Sequence, residues 1–351
     1  MSRRPDALRI AMTSYYLPSE SKIGVGYQVD ALASGLAGRG HEVTVFSGCR
    51  PVLGAPYTTV TIDLHGGLRT FRFATSLRRI DFSGFDVLHA HGDDYWMWRR
   101  RTSAHVRTMH GSCFDEALRI TGPKERLRMF ALGLGEELAS VVADRTVVVS
   151  PRTRRWMPWV RDVIPNGVDE TVFRPGGQRS AHPTILFVGT YEQRKRGRLL
   201  MEAFARDVQP ALPEAELWMV CSDAPPAERV RRFGRVSRDE LVELYRSAWL
   251  FCLPSSYEGF GIPYAEALSC GTPVVATPNG GAEYVLDGGR AGVVVPPERL
   301  GPKLVRLLGD RAERERLAEA GLTRANAFAL STVLDRYEEL YALVATRSRR
   351  R

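Results

Sequence analysis

Short apolar runs of strand type alternate with stretches of helical apolar spacing along the whole chain. That alternation is the mark of an α/β protein with parallel sheets. Residues 9–13 open the series, helical spacing runs over 27–37, and 42–46 reads as the second strand after the Gly38 to Gly40 stop. Further strands are expected at 71–74, 87–90, 106–109 and 146–149, with a long amphipathic stretch over 125–142. These pieces make one complete doubly wound unit.

The pattern pauses near Ile164 to Asp169, and residues 174–183 are rich in Pro, Gly and polar side chains, as a linker between domains is. A second α/β series follows, with strands expected at 184–189, 217–221, 230–233, 250–253, 274–276 and 292–295. Helical spacing returns over 300–320. The fold class expected is therefore α/β, with two Rossmann-like doubly wound domains facing across a cleft. The first spans 1–170 and the second 171–330, and a last helix at 331–345 crosses back onto the first. Open α/β sheets bind ligands beyond the carboxyl ends of their strands.

The densest signal lies at residues 253–277, LPSSYEGFGIPYAEALSCGTPVVAT. An apolar strand ends at Leu253, a turn runs to Ile262, and Pro263 suits the first position of a helix ending at Gly271. Unpaired amides at that helix start attract an anion, and Gly259 and Gly261 let a ligand approach the backbone. Glu258 and Glu266 are poor partners for phosphate and good acceptors for hydroxyls. A ligand with an anionic part and a polyhydroxyl part fits both, and a sugar nucleotide is such a ligand.

Composition narrows the field. Of 351 residues, 44% are hydrophobic and 25% charged, which is a globular balance. No run of about eighteen apolar residues appears, and Met1 to Pro5 leads straight into the first strand, so neither a membrane span nor a signal peptide is read and a cytoplasmic protein is expected. The net charge of +9 is spread over both halves, which disfavours nucleic acid as a partner. Only the arginine-rich 347–351 is dense, and it reads as a solvated tail. Five scattered cysteines without CxxC spacing read as packing residues, and no metal is expected. Asp93 and Asp94 read as a loop cap.

Several motifs, in order, resemble the retaining GT-B glycosyltransferases of family GT4 (glycosyltransferase group 1). They are Gly24–Val25–Gly26, FDVLHAHG at 85–92, MHG at 109–111, ADRTVVVS at 143–150, VIPNGVDETVFRP at 163–175, ILFVGT at 185–190, and the 253–277 block. The resemblance covers nearly the whole chain. It implies metal-independent transfer of a sugar from a UDP-, GDP- or TDP-linked donor to a glycan, lipid or small natural-product acceptor, with no other cofactor.

By position, the resemblance assigns Glu266 to the ribose hydroxyls. Glu258 and the backbone of Gly259, Phe260, Gly261 and Ile262 fall to the donor sugar and its phosphates. His110 falls beside the donor sugar, the Gly24 to Gly26 turn near the diphosphate, and Arg235 and Val236 near the base. The family places an arginine just after the glycine closing ILFVG and a lysine six positions further on, both on the diphosphate. Here those places hold Thr190 and Arg196, with Arg194 or Lys195 as a second charge from the same loop. His110, Glu258 and Arg196 are the expected catalytic residues.

The chemistry matches that assignment. Breaking a glycosyl–phosphate bond moves negative charge onto the leaving diphosphate, so donors prearranged there lower the barrier. A front-face transfer, with the departing phosphate taking the acceptor's proton, follows from the family. A dehydrogenase is disfavoured because Gly24–Val25–Gly26 lacks a third glycine and 42–47 ends without a ribose acid. Glu258 and Glu266 as a glycosidase pair are disfavoured by the helix start between them. A nucleotide-sugar epimerase of the same fold and a catalytically silent binding module remain as alternatives.

On the amphipathic stretch, Leu127, Phe130, Leu134, Leu138 and Val141 share a face with Arg126 and Arg128 near its start. The face reads as core packing, with peripheral contact to an anionic membrane as the alternative. Trp96, Trp98 and Arg99 to Arg101 read equally as an acceptor platform or as plain surface.

Overall fold

The computed structural model describes residues 7–20, 24–64, 66–97, 104–120 and 122–348. The chain divides into two units, Met1–Gly167 with Leu330–Arg351, and Val168–Ala329. Trp98, Arg99 to Arg101 and the end of the arginine tail lie outside the described residues.

The first unit carries β1 (Arg9–Thr13), β2 (Glu42–Ser47), β3 (Thr58–Thr61), β4 (Val87–Ala90), β5 (Ala104–Met109), β6 (Arg145–Val148) and β7 (Asp162–Val163). All pairs are parallel, in the order β3-β2-β1-β4-β5-β6-β7. Both faces are covered, which is why the strands read as continuous apolar runs rather than alternating ones. On one face Ile10, Met12 and Val87 pack with Val29, Leu32 and Leu36 of the helix Gly24–Gly38 and with Val333, Tyr337 and Tyr341 of the C-terminal helix Leu330–Ser348. On the other, Ala11 and Leu88 pack with Phe46, Phe73, Leu77 and Phe82.

The two helices on the first face meet closely. A Cβ on Gly35 would come within 2.6 Å of Leu334. Nearby, Arg39 Nη1 donates to Asp335 Oδ1 at 2.6 Å, and the His41 ring lies 2.8 Å from Glu338 Oε1.

The second unit carries β8 (Thr184–Val188), β9 (Glu216–Val220), β10 (Val230–Arg232), β11 (Leu250–Leu253), β12 (Val274–Ala276) and β13 (Val293–Val294). They form a parallel sheet in the order β10-β9-β8-β11-β12-β13. In each sheet the strand order reverses between two central strands, β1 and β4 in the first, β8 and β11 in the second. Such a switch point leaves a crevice at the carboxyl ends of the two strands. The loops leaving β8 and β11 therefore emerge side by side.

Four local expectations change. Residues 71–74 are not a strand but part of the helix Arg69–Leu77. Phe73, Ala74 and Leu77 are its buried residues, a helical spacing that the short FRFA run concealed. Residues 300–320 form two helices, Leu300–Gly309 and Arg311–Ala325, because Asp310 turns out of helical geometry and caps the second through Glu313 N. The short strands β3 and β7 were not anticipated: β3 is a polar edge of sequence TTVT, and β7 has only two residues. Gly24 to Gly26 is the first turn of a helix rather than a free turn. Gly26 is needed for packing there, since a Cβ would sit 3.1 Å from the Leu17 backbone.

Candidate functional site

In the second unit the loops after β8 and β11 are stitched together. Ser256 N donates to Arg194 O at 2.8 Å, and Arg194 Nη1 donates to Tyr257 O at 3.0 Å. Between them lies the buried Glu258 carboxylate. Its Oε1 accepts from Lys195 Nζ and from Ser255 Oγ, each at 2.7 Å, and its Oε2 lies 3.0 Å from Arg194 Nη1. Burial alone raises a carboxyl's pKa, but the Lys195 ammonium and the Arg194 guanidinium outweigh it here and hold Glu258 below its ordinary range. Burial, opposed by Glu258, also lowers Lys195.

The β11 loop is held in place from behind. Thr277 Oγ1 and Asn279 Nδ2 both donate to Ser255 O, at 2.9 and 3.1 Å, and Gly281 N donates to Glu258 O at 3.1 Å. A Cβ on Gly281 would lie 2.5 Å from Phe260 O and 2.7 Å from Glu258 Cβ, so this position admits only glycine. Gly261 caps the helix Ile262–Ser269 at φ 92°, a left-handed conformation that glycine adopts without strain. The Phe260 ring turns inward onto Tyr284 and Phe328, with centroids 6.2 and 5.3 Å away. Only its backbone is left to meet a ligand. Gly259 and Ile262 are half-buried beside it.

Glu266 lies one turn into that helix, and its Oε2 accepts from Tyr245 Oη at 2.9 Å. Burial pushes its pKa up to about 7, against the lowering effect of Tyr245, Arg238 and Lys195. A carboxylate so placed is short of hydrogen-bond donors and gains from a ligand hydroxyl. Arg196, half-buried and left-handed at φ 54°, caps the helix Gly197–Ala203. Among the described residues its guanidinium has no carboxylate partner. Thr190 is exposed and its hydroxyl donates to Glu192 O at 3.0 Å, so it stands apart from the cation cluster. Arg235, exposed, and Val236, half-buried, lie between β10 and the helix Arg238–Ser247.

In the first unit His110 follows β5, and its Nε2 lies 3.0 Å from His91 Nδ1. The His89 ring lies tilted against His91, with centroids 4.0 Å apart, and bonds Tyr341 Oη at 2.6 Å and Thr108 Oγ1 at 2.7 Å. Burial pushes His110 down to about 4, with Asn166 opposing, and lowers His89 and His91 well below their ordinary value. All three imidazoles are neutral at pH 7 and serve by hydrogen bonding rather than as cations. His110 and His91 line a small pocket with Gln28, Asn166 and Gly167. Gln28 Nε2 donates to Gly167 O at 3.1 Å.

The acidic pair after β4 is not a loop cap. Asp94 is buried between Arg107 and His105, the latter 3.2 Å away. Asp93 is pushed up to about 7 by burial, with Arg107 lowering it. Asp94 is the counter-charge of a fully buried arginine, Arg107. Sequence reading also missed Ser255, Asn279 and Gly281. The run Pro278 to Gly281 after β12 carried a turn signal, yet only the fold brings it against Glu258.

Comparison with known proteins agrees with this geometry. Residues 23–172 match the family described as Glycosyltransferase Family 4, and residues 182–310 the one described as Glycosyl transferases group 1. The phosphatidyl-myo-inositol mannosyltransferase of Mycobacterium leprae is 28% identical, over 92% of this chain and 94% of that protein. The sucrose-phosphate synthase of Thermosynechococcus elongatus has a similar fold, with a TM-score of 0.78 and 20% identity over 97% of this chain and 99% of that one. So has Anabaena HepE in complex with UDP-glucose, with a TM-score of 0.72 and 16% identity over 95% of this chain and 99% of that one. Two switch-point sheets and a glutamate-bound cation loop thus meet two matching family descriptions, and the chain belongs to the group 1 glycosyltransferases of family 4, with the GT-B fold.

Proposed function

We propose that this chain moves a sugar from a nucleotide-sugar donor to a hydroxyl acceptor in the cytoplasm, with retention at the anomeric carbon and without a metal. The carrying observation is the cation loop. Arg194 and Lys195 share the single carboxylate of Glu258, which leaves one positive charge uncompensated, and Arg196 adds another. Two net positive charges suit a diphosphate, and a positive site prearranged at the leaving group supplies the largest share of such catalysis. The lost arginine at Thr190 is offset from within the same loop.

Glu258 then acts chiefly by holding Lys195 and Arg194, with its backbone and that of Gly259 to Ile262 facing the donor. Glu266 accepts the ribose hydroxyls, and the neutral His110 hydrogen-bonds the donor sugar. The bond from the anomeric carbon to the diphosphate oxygen breaks, and the acceptor oxygen bonds that carbon on the same face. The acceptor's proton passes to the departing phosphate. Similarity to HepE, whose complex holds UDP-glucose, favours a UDP-linked sugar as the first donor to test.

A thermal-shift screen of UDP-, GDP-, TDP- and ADP-sugars identifies the donor, since a ligand that binds only the folded form raises its Tm. NMR of the product formed with that donor and an acceptor panel then reads the anomeric configuration. A retained configuration in a new glycoside supports the reading. Inverted product, isomerised free donor, or binding without turnover overturns it.

A further inference from the structure

The helix Pro123–Val142 was expected to bury its long apolar face, and it does the reverse. Its buried residues are Met129, Leu132, Gly133, Ala139 and Ser140, with Glu136 on the same side accepting from Cys113 N at 3.0 Å. Leu127, Ala131, Leu134, Leu138 and Val141 point outward, and the four large ones are 71%, 63%, 47% and 67% exposed in that order. At about 100° per residue these five fall within an arc of roughly 80° and run about 21 Å along the helix. Trp159 lies at the same end as Val141, 48% exposed, with its Nε1 bound to Ser140 Oγ at 3.1 Å. A helix apolar on both sides, covered on only one, has an unmatched face.

The charge around this face says what matches it. Residues 119–161 carry nine arginines and lysines against four carboxylates. Lys124, Arg126 and Arg128 flank the stripe at one end, and Arg152, Arg155 and Arg161 lie within seven residues of Trp159 along the chain. No carboxylate falls within the stripe's arc. We propose that this face docks on an anionic lipid bilayer, with the leucines in the acyl boundary, Trp159 at the headgroup level and the arginines on the lipid phosphates. A second copy of the chain suits it less, because two equal basic surrounds would face each other. The inference does not rest on the proposed donor chemistry.

The test is co-sedimentation of the full chain with phosphatidylglycerol vesicles and with phosphatidylcholine vesicles, at low and high salt. Binding is expected to the anionic vesicles only, and to weaken with salt. Leu134→Glu with Leu138→Glu should weaken it at least about tenfold, since each takes an exposed leucine out of the acyl boundary that it would enter on docking. Arg152→Glu with Arg155→Glu should weaken it at least about fivefold. All four positions are on the surface, so Tm should stay within about a degree of wild type. No binding to phosphatidylglycerol, binding unchanged by the leucine pair, or equal binding to phosphatidylcholine overturns the proposal. So does a concentration-dependent dimer abolished by the same leucine pair, which would make a second copy the occupant. Donor-induced thermal shifts, measured without vesicles, are expected to be the same in every variant.

Discussion

Replacing Glu258 with glutamine isolates what the carboxylate does. The side chain keeps its size and one carbonyl oxygen, while Lys195 at 2.7 Å and Arg194 at 3.0 Å lose their only shared counter-charge. Breaking a buried ion pair from one side costs about 3–5 kcal/mol. Arg194 is half exposed, which screens its part, so about 3 kcal/mol is the expected loss for the second unit. For a unit of its size, roughly 2–4 °C per kcal/mol, the Tm should fall by about 6–12 °C. Two unpaired cations then seek an anion, so a nucleoside diphosphate should raise the variant's Tm by more degrees than the wild type's. Turnover should drop by most of its value because the cations are no longer aimed. Differential scanning calorimetry with and without UDP reads all but the last. A variant that melts with the wild type, or that gains less from UDP, refutes the idea that Glu258 holds these cations. Because Glu258 is depressed in the folded state, its stabilisation is present above its unfolded value near 4.5 and lost as pH falls through the folded one.

Further outcomes follow from the same geometry at Glu266, Gly281 and His110. Glu266, raised to about 7, binds more protons folded than unfolded between pH 4.5 and 7; stability therefore falls as pH rises through that window, and Glu266→Gln should flatten urea-unfolding curves across it by up to about 3 kcal/mol. Donor binding to wild type should tighten as pH rises toward 8, since the ionised form accepts ribose hydroxyls, and the glutamine variant should lose that dependence in calorimetric titrations. Gly281→Ala puts a methyl 2.5 Å from Phe260 O, so the β11 loop must shift, at a cost of about 1–3 kcal/mol in urea unfolding with turnover lost alongside. His110→Ala should lower turnover without changing Tm by more than a few degrees, and wild-type kcat should show no histidine step between pH 5 and 8 because the ring is already neutral.

Much of this arrangement was legible in the residues, and the exceptions have physical causes. Strands buried on both faces, such as Leu250–Leu253, announce themselves as apolar runs bounded by turn residues. The helix after Gly261 was readable because a proline in the first turn leaves a local signature, whereas the left-handed cap at Gly261 itself emerged only in the structure. Residues 71–74 were misread because four residues cannot separate a two-residue period from a 3.6-residue one. Glu258's partners were hidden for another reason. Lys195 and Gly281 lie far from it along the chain and meet it only through the crossover between β8, β11 and β12. The outward face of Pro123–Val142 was misjudged because periodicity shows that a face is apolar and cannot show what covers it.

If the loop after β8 receives the donor's diphosphate, the loss of Arg196 should be felt at once, since its guanidinium has no carboxylate partner among the described residues. Isothermal titration of UDP and of the donor identified by thermal shift, on wild type and on Arg196→Ala, reads that loss without depending on the acceptor. The expected result is an unchanged Tm, at least about tenfold weaker binding from the loss of a charge-assisted contact, and turnover reduced on the order of 10²–10³. Wild-type affinity and turnover in a folded Arg196→Ala protein would contradict it.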